Sequence, residues 1–400
     1  MEYILKNKDK NVISLKVGTK KTEFQFGVIS YEQFIEDAII LEPELLPLPL
    51  QLKLEKTEKK EAITDWIISR KAPNNRMFVD KIIETYGGSD KTFMDYVDVS
   101  YALSVNDSYW IVPDDENEYL WKNYNLYDNK FNKVLELVAF AGNSCKISGF
   151  TSSPEYTTTG MLRKCWNKES DGIYLYKGST QVYANGGKDA YSEYYCSQIA
   201  NILGFEAVPY NLIEFHNQIA SRCPLFTNED EGYIPIYYCI SNLSKGIESE
   251  REIASIYGQE QFEDLMLFDG LIGNKDRHFG NFGMIINNNT NKILRPAPIF
   301  DNGASFLNLL TLDDFKNYKT IEKDYRTYFG YTPTEQIKIY FRERHIPALE
   351  RLISTPLEYS RFREFDNYVN AFEHLVKSRA IEILELAKTL INNDNLSMSM

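Results

Sequence analysis

Two stretches decide how this chain reads: Leu271-Ile272-Gly273-Asn274-Lys275-Asp276-Arg277-His278-Phe279-Gly280-Asn281-Phe282-Gly283 and, downstream, Ala297-Pro298-Ile299-Phe300-Asp301-Asn302-Gly303. They supply an Asp, an Asn five positions later, and a second Asp twenty positions after that Asn. Between them, Phe282 to Ile286 is a short apolar run and Asn287 to Asn291 (Asn-Asn-Asn-Thr-Asn) is a turn signal. Ile293 to Arg295 begins a return run, so the segment predicts a hairpin. A hairpin brings its ends together, which should return Asp301 close to Asn281. Upstream, Phe262, Leu265, Met266, Leu271 and Ile272 fall near helical spacing, placing Asp276 in a loop just past a buried helix.

Asp, Asn and Gly are ordinary turn residues, and an isolated Asp-Arg-His tripeptide carries little information. An Asp-x-x-x-x-Asn followed at hairpin distance by Phe-Asp-Asn-Gly is far more specific. It matches the needs of ATP-dependent phosphoryl transfer: one carboxylate accepts the proton of an attacking hydroxyl, while an amide oxygen and another carboxylate hold Mg²⁺ on the nucleotide phosphates.

The same residues carry a resemblance. Leu-Ile-Gly-Asn-x-Asp-Arg-His-x-x-Asn-x-Gly followed by Ala-Pro-Ile-Phe-Asp-x-Gly is similar to the catalytic core of HipA-like serine/threonine kinases, a family that includes bacterial toxin kinases and a secreted, cell-translocating kinase. Phosphatidylinositol kinases and CotH-type kinases have a similar Asp-Arg-His-x-x-Asn string, and the Ala-Pro-Ile-Phe-Asp form favours the HipA side. The resemblance implies Asp276 as catalytic base and Asn281 and Asp301 as metal ligands, with ATP and Mg²⁺ as cofactors. It also implies a fold: an α+β, bilobal protein-kinase-like architecture, with a β-rich nucleotide lobe and a mainly α-helical catalytic lobe.

Such an enzyme also needs a cation for the phosphates, held by an acid on a packed helix. Tyr174-Leu175-Tyr176-Lys177-Gly178 reads as a short strand bearing one Lys, and Tyr191 to Gly204 as a helix with Ser192 near its start and Gly204 as its stop. The resemblance continues here and makes Lys177 the nucleotide lysine and Glu193 its partner. Lys188 is the rival cation, in a setting (Asn185-Gly186-Gly187-Lys188) that suggests a loop tip. Ahead of the lysine strand, Ile147 to Met161 is rich in small hydroxyl residues without a Gly-x-Gly-x-x-Gly pattern. Backbone N–H groups and the hydroxyls of Ser152, Ser153 or Thr157 to Thr159 are candidate phosphate contacts. In the similar family the equivalent loop covers the nucleotide, and a loop serine is autophosphorylated in some members.

Composition sets limits. The 400 residues are long for one core, and 43% hydrophobic with 25% charged residues are globular values. A net charge of −13 and a pI near 5.0 argue against direct nucleic-acid binding, so contact with DNA would come through a partner such as an antitoxin-type protein. The Lys53 to Lys60 stretch is interleaved with Glu and reads as a solvated helix face. No apolar run is long enough to span a bilayer, and the first residues lack a signal-peptide core. Five scattered cysteines without Cys-x-x-Cys spacing read as reduced thiols, consistent with a cytoplasmic protein. Four histidines are too few for a His-based metal centre, and His278 is assigned to orienting the loop.

Three parts are expected. Residues 1–145 form an accessory domain, with helix-like Thr64 to Arg70 and an aromatic segment around Tyr109; 146–228 form the nucleotide lobe; 229–400 form the helical catalytic lobe. The latter should end in a helical tail over Leu357 to Ile391 and frayed residues from Asn392 on. The substrate is expected to be a protein. A lipid or small-molecule kinase with the same core, or a catalytically silent binding module, are the alternatives.

Overall fold

The computed structural model describes residues 1–400 except 24–28, 87–91, 117, 148, 181–185 and 398–400. Ser148 of the hydroxyl-rich loop, Asn185 of the glycine-rich turn and the last three residues of the tail therefore lie outside the described residues.

The chain is α+β and packs as two units. The first comprises residues 1–177, 225–234 and 285–295; the second comprises 178–224, 235–284 and 296–400. In the first, a four-stranded sheet places Glu2–Asn7 between Lys10–Glu23 and Tyr109–Pro113, with Ile29–Ile40 on the outer side of Lys10–Glu23. Glu2–Asn7 pairs antiparallel with both neighbours. Its Tyr3, Ile4 and Leu5 are all buried, as a central strand covered on both faces requires. Lys164–Lys168 and Ile173–Gly178 form an antiparallel hairpin, with Lys177 opposite Lys164.

The divide expected at residue 145 is not a packing boundary. Tyr101, Trp110, Trp121, Leu126 and Phe131 form one core with Phe150, Trp166, Ile173 and Leu225, so the first 145 residues share an apolar interior with residues assigned to the nucleotide lobe. The Tyr101 and Phe150 rings stack at 4.5 Å. A second tie is ionic. Arg76 and Glu155 pair through Nη2 and Oε2 with side chains 0% and 1% exposed. Arg76 also donates to the carbonyls of Glu155 (2.6 Å) and Lys164 (2.9 Å), while Glu155 Oε1 accepts the Trp166 N–H at 2.7 Å. Burial pushes the Glu155 carboxyl up and Arg76 opposes that shift. The Lys53 to Lys60 stretch is not one helix face: it crosses from the Leu48–Leu54 helix to the Lys59–Arg70 helix. There Lys59 and Lys60 donate to the carbonyls of Ala38 and Glu36 on the outer strand.

The Gly283–Asn287 and Ile293–Pro296 strands form the expected hairpin, beside Glu231–Pro235. Its turn is fastened within the first unit: Asn7 donates to the Asn288 carbonyl at 2.8 Å and Asn291 to the Leu46 carbonyl at 2.7 Å.

The second unit is mainly helical, with the antiparallel pair Asn211–Phe215 and Gln218–Pro224. The Asp189–Leu203 and Gln259–Ile272 helices each end on a left-handed glycine, Gly204 (φ 80°) and Gly273 (φ 65°), the standard helix stop. The C-terminal helix runs from Asp366 to Ser397, starting later than Leu357 and continuing through the residues expected to fray. None of the five cysteines is in a disulfide, and three are buried. Among the described residues no helix is long and apolar enough to cross a membrane.

Removing one partner of the Arg76–Glu155 pair leaves a buried charge unmatched, which costs roughly 3–5 kcal/mol. Arg76→Ala should lower unfolding stability by that amount in urea titration, and a loss below about 1 kcal/mol would show that the tie is minor.

Candidate functional site

The second unit assembles its polar centre around one guanidinium. Arg277 is 1% exposed and pairs in bidentate fashion with Asp269 of the Gln259–Ile272 helix, Nε to Oδ2 at 2.8 Å and Nη2 to Oδ1 at 2.9 Å. Its Nη1 donates to the Asn281 carbonyl at 3.0 Å and also to the Phe300 carbonyl; Nη2 reaches Asn302 Oδ1 at 2.6 Å. One side chain thus ties the Asp276–Asn281 loop to the segment carrying Asp301. A planar fork with several fixed donors does this in a way a lysine cannot. Desolvation works against the Arg277 charge, and Asp269 more than offsets it, so its pKa rises.

Backbone bonds repeat the connection. Lys275 N–H donates to the Ala304 carbonyl at 3.0 Å and Ala297 N–H to the Gly283 carbonyl at 2.8 Å. Asp301 does return beside Asn281, as the hairpin reading required.

Within the loop, Asn274 caps the turn, its Oδ1 accepting the Asp276 N–H at 3.0 Å and its Nδ2 donating to Asp269 Oδ1 at 3.1 Å. His278 Nδ1 accepts the Gly280 N–H at 3.0 Å. Asn281 Nδ2 donates to the Asp276 carbonyl at 2.8 Å, which fixes the amide and leaves Oδ1 as an oxygen donor. Asp276 itself is solvent-exposed, yet enough protein crowds its carboxyl that desolvation raises its pKa. His278 lowers it in part, and the Asp301 charge raises it further. Asp301 therefore lies within electrostatic reach of Asp276.

Asp301 adopts φ 60°, a left-handed conformation that Asp tolerates better than most residues and that is stored at functional sites. Its neighbours hold it there. Asp301 N–H donates to Tyr210 Oη at 3.3 Å, Asn302 N–H to Glu193 Oε2 at 2.8 Å, and Ser192 Oγ to the Asn302 carbonyl at 2.8 Å. Two adjacent residues of the Asp189–Leu203 helix clamp both backbone groups of Asn302. Upstream, Ile299 bridges Ala207 in parallel, with Val208 N–H donating to the Ile299 carbonyl at 2.9 Å.

The other expected residues fall as follows. Lys177 is buried on the Ile173–Gly178 strand of the first unit, and Glu193 is buried in the second. Lys188 is no loop tip: it is 1% exposed at the start of the Asp189–Leu203 helix, with its ammonium 4.6 Å from the Tyr368 ring centroid and 5.8 Å from that of Phe365. Burial lowers its pKa. The hydroxyl-rich loop is largely folded in. Ser153 Oγ accepts the Glu155 N–H, Thr157 Oγ1 donates to the Leu103 carbonyl at 2.7 Å, and Thr158 Oγ1 donates to the Pro154 carbonyl at 2.7 Å. Among the described residues the buried Ser152 hydroxyl has no hydrogen-bond partner, and Thr159 is exposed.

Arg277, Asp269, Asn274, Asn302 and Tyr210 escaped the sequence reading. Arg277 and Asn274 stood in the quoted run and Asn302 in its companion, but their roles rest on contacts that residue order does not encode. Asp269, a lone acid within an apolar helical run, was the available signal, because a buried carboxylate requires a partner.

As donors for a divalent cation, Asn281 and Asp301 offer hard oxygens from only two protein ligands. That set suits Mg²⁺, which takes its remaining ligands from phosphates and water. Among the described residues no group of three or more His, Cys, Asp and Glu side chains converges.

If Asp301 raises Asp276 as the geometry implies, an NMR titration of the Asp276 carboxyl should have its midpoint above the ordinary 3.8. Asp301→Asn should bring that midpoint down. An unchanged midpoint would place the two carboxylates apart. The raised value also means that this group subtracts stability as pH rises from 3.8 through its folded-state pKa.

No protein-family model and no curated protein sequence matches the chain. Solved structures do. A chain of the Shewanella oneidensis MR-1 toxin–antitoxin complex of HipA, HipB and operator DNA aligns with TM-score 0.52 and 12% identity, over 94% of this chain and 96% of that one. The Helicobacter pylori proinflammatory kinase CtkA aligns with TM-score 0.36 and 19% identity, over 56% of this chain and 92% of that one. At such identities the first likeness speaks for fold alone, and it extends over nearly the whole chain: the protein has a mixed α+β, kinase-like fold of the HipA type.

Proposed function

We propose that the chain is an ATP- and Mg²⁺-dependent serine/threonine protein kinase. The observation that supports this reading is the shared hold of Arg277 on the Asn281 and Phe300 carbonyls, which brings the chain at 281 beside the residue preceding Asp301. In this reading the substrate hydroxyl oxygen bonds to the γ-phosphorus as the bond to ADP breaks, and Asp276 accepts the hydroxyl proton. Asn281 and Asp301 hold the cation, which neutralises charge on the phosphates. The family resemblance assigns Lys177 to the phosphates and Glu193 as its partner; within the second unit Glu193 also accepts the Asn302 N–H.

The raised Asp276 pKa suits a proton acceptor, since a base nearer neutrality binds the proton more readily. The acid must still be ionised to act, so the rate should fall as pH drops through that pKa. The autophosphorylation implied by the family resemblance is best supported at Thr159, the exposed hydroxyl of the loop's Thr157 to Thr159 run. The acidic charge of −13 and the presence of HipB and operator DNA in the Shewanella structure support a second element, a basic DNA-binding partner of antitoxin type.

Asp276→Ala and Asp301→Ala should each reduce phosphate transfer from γ-labelled ATP by at least about 10³-fold. Asp301→Ala should also weaken Mg²⁺-dependent binding of a non-hydrolysable ATP analogue, whereas Asp276→Ala should leave it nearly intact. Near wild-type turnover by either variant would refute the assignment. Mass spectrometry after incubation with ATP should find phosphate on Thr159 in the wild type and none in Asp276→Ala; an unmodified wild-type loop would remove that part of the proposal.

A further inference from the structure

The loop bearing Asp276 is flanked by aromatic rings that the phosphoryl-transfer reading does not use. On one side Tyr237 N–H donates to the Phe279 carbonyl at 3.3 Å, and the Tyr237 ring lies against Gly280. On the other, the Tyr328 ring stands 6.3 Å from the His278 ring and 5.5 Å from that of Phe279. Burial raises the Tyr328 phenol, and the Asp276 charge raises it further. Beyond Tyr328 sits Lys245, its ammonium 3.8 Å from the ring centroid. Among the described residues Lys245 has no carboxylate partner. It belongs to a continuous exposed run, residues 243–248, in which Leu243 and Ile247 are 59% and 62% exposed.

Two large aliphatic side chains bracketing an unpaired cation, one ring away from a catalytic loop, form an asymmetric surface. Leu243 and Ile247 stand four positions apart on either side of Lys245, so the three side chains offer one short mixed surface of apolar and cationic contacts. A cation over an aromatic face is held in place without being neutralised, so it still attracts an anion.

We propose that Leu243, Lys245, Ile247 and Tyr328 seat an extended polypeptide substrate, with an apolar residue against Leu243 and Ile247 and an acidic residue beside the acceptor hydroxyl against Lys245. This specificity rests on the kinase reading above. It selects acidic-flanked acceptors and disfavours basic-flanked ones through charge at Lys245.

The test uses the full chain and two fluorescein-labelled peptides identical except for Asp or Lys next to a serine, each with a leucine two positions away. In anisotropy titrations the Asp peptide should bind at least about fivefold more tightly than the Lys peptide. Lys245→Glu should reverse that order, and Leu243→Asp with Ile247→Asp should weaken both peptides. Asp276→Ala should leave the preference intact, and Lys245→Glu should leave binding of a non-hydrolysable ATP analogue unchanged. Equal binding of the two peptides, or a preference unmoved by Lys245→Glu, overturns the proposal. So does a change in sedimentation of the double variant with no change in peptide affinity, which would make a second copy the occupant. Failure of the kinase reading has a different signature: no nucleotide binding and no phosphate transfer by the wild type while the peptide preference persists.

Discussion

The second unit turns on a single buried ion pair. Arg277 and Asp269 are both 1% exposed, and neither charge would be tolerable there alone. Paired, they neutralise each other and free the remaining guanidinium donors to grip two loops that lie far apart in sequence. The cost of desolvating two ions is offset by bidentate geometry and three further acceptors, the Asn281 and Phe300 carbonyls and Asn302 Oδ1. The result is positional. The backbone at 281 and 300 and the side chain of Asn302 are tied through Arg277 to the buried C-terminal half of the Gln259–Ile272 helix.

Around that pair a second layer restrains Asp301. A left-handed aspartate costs energy and persists only when its surroundings over-determine it. Tyr210, Ser192 and Glu193 supply that restraint, each through one hydrogen bond to the backbone at 301 or 302. The Asp189–Leu203 helix thereby reads the conformation of the Asp301 segment directly. Ser192 also meets Ser305 Oγ at 2.6 Å, and Cys196 donates to the same hydroxyl, so the contact is buried and continuous along the helix face. Burial pushes the Cys196 thiol up to about 12, consistent with an inert packing role.

Much of this was legible in the residues. The asparagine-rich turn and its flanking apolar runs specified the hairpin, and the helix ending at Gly204 was marked by its glycine stop. Local chemistry dictates such features, so sequence reveals them. The sharing of the first unit's core was not legible, because the Tyr101–Phe150 stack and the Arg76–Glu155 pair join residues 49 and 79 positions apart. The fate of the Ser/Thr-rich loop was hidden for the same reason: Thr157 finds its acceptor at Leu103. Lys188 misled because glycine-rich flanks suggest exposure, while its actual environment is set by Phe365 and Tyr368 from the distant C-terminal helix region. Residue types pointed to candidate oxygens at 276, 281 and 301; tertiary contacts decide what holds the backbone that carries them.

In the proposed reaction Arg277 delivers Asn281 and Asp301 to one cation. Crystals grown with Mn²⁺ and a non-hydrolysable ATP analogue test it most directly, since manganese scatters anomalously and its position needs no interpretation. The expected anomalous peak lies within coordination distance of both Asn281 Oδ1 and the Asp301 carboxylate, about 2.0–2.3 Å from each. A nucleotide-bound crystal whose manganese peaks all lie away from these two side chains would contradict it.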